Sequence, residues 1–138
     1  MVDDKVTPER LALFVSKRYG TPNPWQLVER LGIDVKYTPA LSGDKLGRTC
    51  FPPMGAPLIW LAESIKGSPL KTRVLAHELG HALLHDGTAA YYRVADRGIS
   101  KAENEAERFA LTLLTELYED ETGRLPETIS DLENMYGM

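Results

Sequence analysis

A chain of 138 residues with 43% hydrophobic and 26% charged residues has the make-up of one ordinary folded domain, spanning 1–138. Its formal net charge of −4, and the lack of any evident basic face, argue against direct nucleic-acid binding. A single cysteine, Cys50, excludes an internal disulfide and suits a reducing compartment.

The opening Met1 to Lys5 has neither the basic start nor the apolar stretch of a secretory leader, and no apolar run approaches membrane-spanning length. The expectation is a cytoplasmic protein with no membrane association. Thr7-Pro8-Glu9 opens a first helix: a capping hydroxyl, then proline at the first helical position, then an acid in the first turn. Leu11, Phe14 and Val15 give it a buried face, and Gly20 stops it. Asn23-Pro24 repeats the start signal for a short helix through Trp25, Leu27, Val28 and Leu31 to Gly32. Three short strands follow, around Ile33–Tyr37, Leu46–Phe51 and Leu58–Ala62, separated by turn residues.

Ser68-Pro69 then opens a helix that is apolar around most of its girth, through Val74, Leu75, Leu79, Ala82, Leu83 and Leu84. This helix carries all three histidines of the chain, two of them in an H-E-x-x-H motif: His77, Glu78 and His81. Residues four apart lie one above the other on a helix, so both imidazoles can reach one ion. Glu78 is placed to touch a metal-bound water rather than the metal. This is the zincin pattern, in which two histidines hold Zn²⁺ and the carboxylate is the general base. Polar side chains on a core helix cost several kcal/mol when unpaired, on the order of 2–7 for one group, and a metal removes that cost. Gly80 costs about 1 kcal/mol in a helix interior, which suggests that another backbone, or the metal site, approaches there.

A polar loop containing Tyr91, Tyr92 and Arg93 leads to a long helix from Ser100 to about Tyr118. Its inner face holds Ala102, Ala106, Phe109, Ala110, Leu113, Leu114 and Leu117. Ile129, Leu132, Met135 and Tyr136 suggest a short last helix. The whole is an α+β arrangement, a small three-stranded sheet packed with a metal-binding helix and a second ligand-bearing helix.

A hydrolytic zinc site needs a third protein donor. His85 lies about two turns from His77, too far along the axis to share an ion with both, and reads as a helix-end residue favoured by the dipole. Glu103, Glu105 and Glu107 remain. Glu103 shares the row of Ala106, Ala110 and Leu114, and Glu105 the company of Ala102 and Phe109. Against Glu103 stands a capping box, Ser100-x-x-Glu103, in which the carboxylate would serve the helix start instead. Spacing leaves this open.

His77-Glu-Leu-Gly-His-Ala-Leu-Leu-His85, followed by Glu103-Asn-Glu-Ala-Glu-Arg-Phe-Ala110, resembles the ImmA/IrrE metallopeptidases, with their H-E-x-x-H and later E-x-x-A-N-x-F-A-x-x-L-L-M-P. The likeness covers roughly residues 20 to 117. It implies a zincin-like metalloprotease domain with His77, His81 and Glu103 as ligands of Zn²⁺ and Glu78 as base. The family's asparagine is Glu107 here, and its Met-Pro is Thr115-Glu116. The first departure touches residues that orient a ligand; the second falls at a helix end.

What the resemblance implies about biology is an endopeptidase acting on a regulatory protein, a helix-turn-helix repressor of a mobile element or prophage. The rival expectation is a zincin-like binding module that inactivates the repressor by contact alone. A metal-free α+β domain is the third. Tyr91, Tyr92 and Arg93 are candidates to stabilise the transition state, and an extended substrate is expected to pair with a free edge of the Leu58–Ala62 strand.

Overall fold

The computed structural model describes residues 6–41, 45–85 and 96–137, with the backbone alone for 96–100. Helix α1 spans Pro8–Tyr19 and α2 spans Pro24–Leu31. Both begin as the sequence dictates. The Thr7 hydroxyl accepts from the Arg10 amide at 3.1 Å, and Asn23 Oδ1 from the Trp25 amide at 2.9 Å. Gly20 and Gly32 end the two helices in the left-handed conformation.

The buried face of α1 differs from the expected one. Pro8, Ala12 and Val15 are buried, whereas Phe14 is 59% exposed. Phe14 lies about 200° around the helix from Ala12, so a helix that seats Ala12 against the core turns Phe14 to solvent. The smaller residue wins because it lets α1 come close to its neighbours.

Strands β1 (Asp34–Thr38), β2 (Gly47–Cys50) and β3 (Leu58–Ala62) form a mixed sheet in the order β1-β3-β2. β1 runs parallel to β3, pairing Asp34 with Leu58 and Thr38 with Ala62. β2 runs antiparallel to it, pairing Gly47 with Leu61 and Cys50 with Leu58. This corrects one expectation: β3 is the central strand and has no free edge. The apolar run Leu58-Ile-Trp-Leu-Ala62, with Ile59 and Leu61 fully buried, is that of a strand covered by neighbours.

A 3₁₀ turn, Glu63–Ile65, leads to α3, Leu70–Leu84. Ser68 Oγ accepts from the Leu70 amide at 3.1 Å, so the expected serine serves the start although the helix begins one residue after Pro69. Trp25 Nε1 donates to Thr72 Oγ1 at 3.0 Å and ties α2 to this first turn. The long helix α4 spans Asp96–Thr122 and the last, α5, Ile129–Tyr136. The start of α4 at Asp96 places Ser100 inside the helix, which removes the capping box that competed for Glu103.

Helix α3 runs between the sheet and α4. Leu75, Ala76 and Leu79 meet Phe109, Ala110, Leu113 and Leu114 in one core that also takes in Ile59, Leu61 and Leu132. The α3–α4 contact is unusually close at Gly80. A Cβ there would stand 3.1 Å from both Cα and O of Ala106 and from Cδ1 of Phe109. Another backbone does approach, and it belongs to the helix that carries Glu103. Among the described residues, no helix is long and apolar enough to cross a membrane.

Candidate metal centre

The one-turn separation of His77 and His81 on α3 brings their ring centroids to 4.9 Å. From α4, one turn before Ala106, Glu103 reaches both. Its Oε1 lies 3.2 Å from His77 Nε2 and its Oε2 lies 2.6 Å from His81 Nε2. One donor atom from each of the three residues falls within 4.8 Å of the others. Two imidazole nitrogens and a carboxylate oxygen converging in this way are a donor set for a divalent metal ion with a further coordination position left over.

The electrostatics of these groups follow from their mutual contact. Burial alone would draw His77 down, but a hydrogen bond to Glu103 and the nearby carboxylates of Glu107 and Glu78 push it up to about 9. The two histidines hold Glu103 well below the usual carboxylate range.

Glu78 is placed by a different neighbour. It is 7% exposed and packs under the edge strand β2. The Thr49 hydroxyl lies 2.8 Å from its Oε1 and 3.0 Å from its main-chain carbonyl oxygen. Gly47, two residues away on the same face of β2, makes the approach possible: a Cβ there would stand 2.7 Å from Val74 Cγ1 and 2.9 Å from Glu78 Cγ. Burial raises the Glu78 pKa, opposed by His81, by the Thr49 hydrogen bond and by His77. A carboxylate made more basic by burial, next to two candidate metal donors, suits a proton acceptor.

The other two candidate acids of α4 lie outside the donor set, one beside the His77 ring and one beside His85. Glu107 Oε1 lies 3.6 Å from His77 Nδ1, while its Oε2 accepts from Arg73 Nη2 at 2.6 Å. Glu105 stays away from the donor cluster; its Oε1 lies 3.0 Å from His85 Nε2. His85, the cap residue of α3, is only 3% exposed, and its Nδ1 lies 3.0 Å from His81 Nδ1.

The structure thus brings His77, Glu78, His81 and Glu103 into one site. Tyr91, Tyr92 and Arg93 lie outside the described residues. Reasoning from sequence missed the contacts of Thr49 with Glu78, of Arg73 with Glu107 and of His85, read correctly as the end of its helix, with His81. The repeat of the four-residue spacing from His81 to His85 was a usable signal for the last. The family profile described as Peptidase_M78, IrrE N-terminal-like domain, matches residues 28–135. No individual curated protein matches the chain.

Proposed function

The chain belongs to the Peptidase_M78 family of IrrE N-terminal-like domains, and from that premise we propose that it is a zinc-dependent endopeptidase whose substrate is a helix-turn-helix repressor of a mobile element or prophage. The family supports a metallopeptidase. The observation that carries the reading to zinc is the convergence of His77, His81 and Glu103, a nitrogen-rich set that suits Zn²⁺ better than the hard, oxygen-bound cations.

In this reading His77, His81 and Glu103 hold the ion, which when bound supplies a Lewis acid and makes water a nucleophile at neutral pH. Glu78 takes the proton of the attacking water. Thr49 occupies Oε1, which leaves Oε2 as the accepting atom. Glu78 then returns the proton to the leaving nitrogen of the cleaved peptide. The buried setting of Glu78 under β2 raises its basicity, which favours the first of these transfers. An extended substrate aligns along the outer edge of β2, the strand that also holds Glu78, since β3 is paired on both sides.

Glu78→Gln tests the chemistry. The amide keeps the size of the side chain and leaves the three metal donors in place, so zinc content and fold persist. Cleavage of a helix-turn-helix repressor encoded beside this protein falls by about 10²–10⁴-fold, the usual contribution of a general base. Cleavage at the wild-type rate would overturn the assignment. Relief of repression without cleavage would mean that contact alone inactivates the partner.

A further inference from the structure

We propose that Glu105 and His85 form a hydrogen-bonded relay that fixes the tautomer of His81, so that its Nε2 lone pair faces the metal position. The inference rests on His81 being a metal ligand, as in the reading above, and assigns positioning roles to two residues that touch neither metal nor substrate.

The argument follows the protons. An ionised carboxylate only accepts, so Glu105 Oε1, 3.0 Å from His85 Nε2, requires the His85 proton to be on Nε2. A neutral imidazole carries one ring proton, which leaves His85 Nδ1 bare. His85 Nδ1 and His81 Nδ1 are 3.0 Å apart, a hydrogen-bond distance between two nitrogens. With both bare the lone pairs repel, and with both protonated the hydrogens collide, so a single proton lies between them. Since His85 has none to give there, His81 Nδ1–H is the donor. Glu103 Oε2, 2.6 Å from His81 Nε2, calls for a proton on that nitrogen as well, so a bound ion would take the place of that proton and meet a bare Nε2 while Nδ1–H stays committed to His85.

The position of the two residues supports the role. His85 is the cap of α3, one turn beyond His81, and its near-complete burial keeps bulk water from offering His81 Nδ1 an alternative partner. His77, by comparison, has the Glu107 carboxylate beside its Nδ1, steadied by Arg73. A carboxylate of α4 therefore orients each histidine, directly for His77 and through His85 for His81. Partners of this kind raise ligand basicity and hold the ring in plane, and their loss commonly lowers metal affinity by 10–100-fold.

The test is zinc affinity by chelator competition for the wild type, His85→Phe, His85→Asn and Glu105→Ala, with the ring protons of zinc-loaded wild type read by long-range ¹H–¹⁵N NMR. His85→Phe and Glu105→Ala are expected to lose about 10–100-fold in affinity. His85→Asn, whose amide oxygen can accept where Nδ1 did, is expected to recover most of the loss, which a filling role alone would not produce. The NMR spectrum is expected to show His85 protonated at Nε2 and bare at Nδ1. His85→Phe binding as tightly as wild type, or a proton found on His85 Nδ1, would overturn the proposal. Should the phenylalanine variant fail to fold, the wild-type tautomer decides. Absence of any zinc binding by wild type would remove the zinc reading itself, a result distinct from equal affinities across the series.

Discussion

At the scale of single residues, the most consequential contact outside the donor cluster is a hydroxyl on a carboxylate. Glu78 sits in a place that favours its neutral form, and Thr49 is one of the groups that oppose the shift. A hydrogen bond to a charged acceptor contributes about 1.5–3 kcal/mol. Thr49→Val, which keeps the shape and removes the donor, is therefore expected to raise the Glu78 pKa further. The acidic limb of the rate profile moves to higher pH, by an amount on the order of one pH unit, while zinc affinity is unchanged. An unaltered pH profile would show that Thr49 does not govern the base. His77, Glu78 and His81 were legible in sequence because their relation is local: a four-residue step on one helix fixes it. Thr49 was not, because nothing in residues 45–50 says which helix their strand will cover. Glu103 stood between: spacing left it one of three alternating acids, the family resemblance named it, and the approach of α4 to α3 brings it to the two histidines.

The approach of those two elements depends on missing side chains. Gly80 is the weak point of α3 by propensity, since alanine would favour the helix by about 1 kcal/mol. A Cβ at Gly80 meets main-chain atoms of Ala106 at 3.1 Å, however, and backbone cannot swing aside as a flexible side chain does. Gly80→Ala is expected to push α4 outward by a few tenths of an ångström near Glu103, lowering zinc affinity without raising the melting temperature. Zinc titration and thermal melts check both halves. A variant that is more stable and binds zinc normally would show that α4 yields freely. The same dependence on partners explains which elements sequence misread. Caps and stops of α1 and α2 were read correctly because they are made by residues within the element. The outward turn of Phe14 and the central place of β3 are settled by what packs alongside, and period and propensity carry no record of that.

Across the whole molecule, folding, protons and the proposed metal site meet at one joint between α3 and α4. In the metal-free protein His77 is raised from its ordinary 6.5 to about 9, and Glu103 is depressed from 4.5. The His77 contribution to stability is therefore fully present below pH 6.5 and is lost as pH rises through about 9. The Glu103 contribution is present above pH 4.5 and is lost as pH falls toward its low folded value. Metal-free stability from this pair should hold between about pH 4.5 and 6.5 and decline on the alkaline side. Zinc bound as proposed would behave oppositely, because it must displace the proton of His77. Its affinity is expected to climb about tenfold per pH unit up to pH 9 and then level off. A ligand that binds only the folded state stabilises it in proportion to the logarithm of concentration over Kd. Melting curves with and without zinc, recorded from pH 5 to 9, should therefore diverge with rising pH: the metal-free midpoint drops above pH 7 while the zinc-loaded one is maintained. Parallel curves over that range would mean that zinc does not take the place of the His77 proton, and that the ion binds elsewhere than between these two helices.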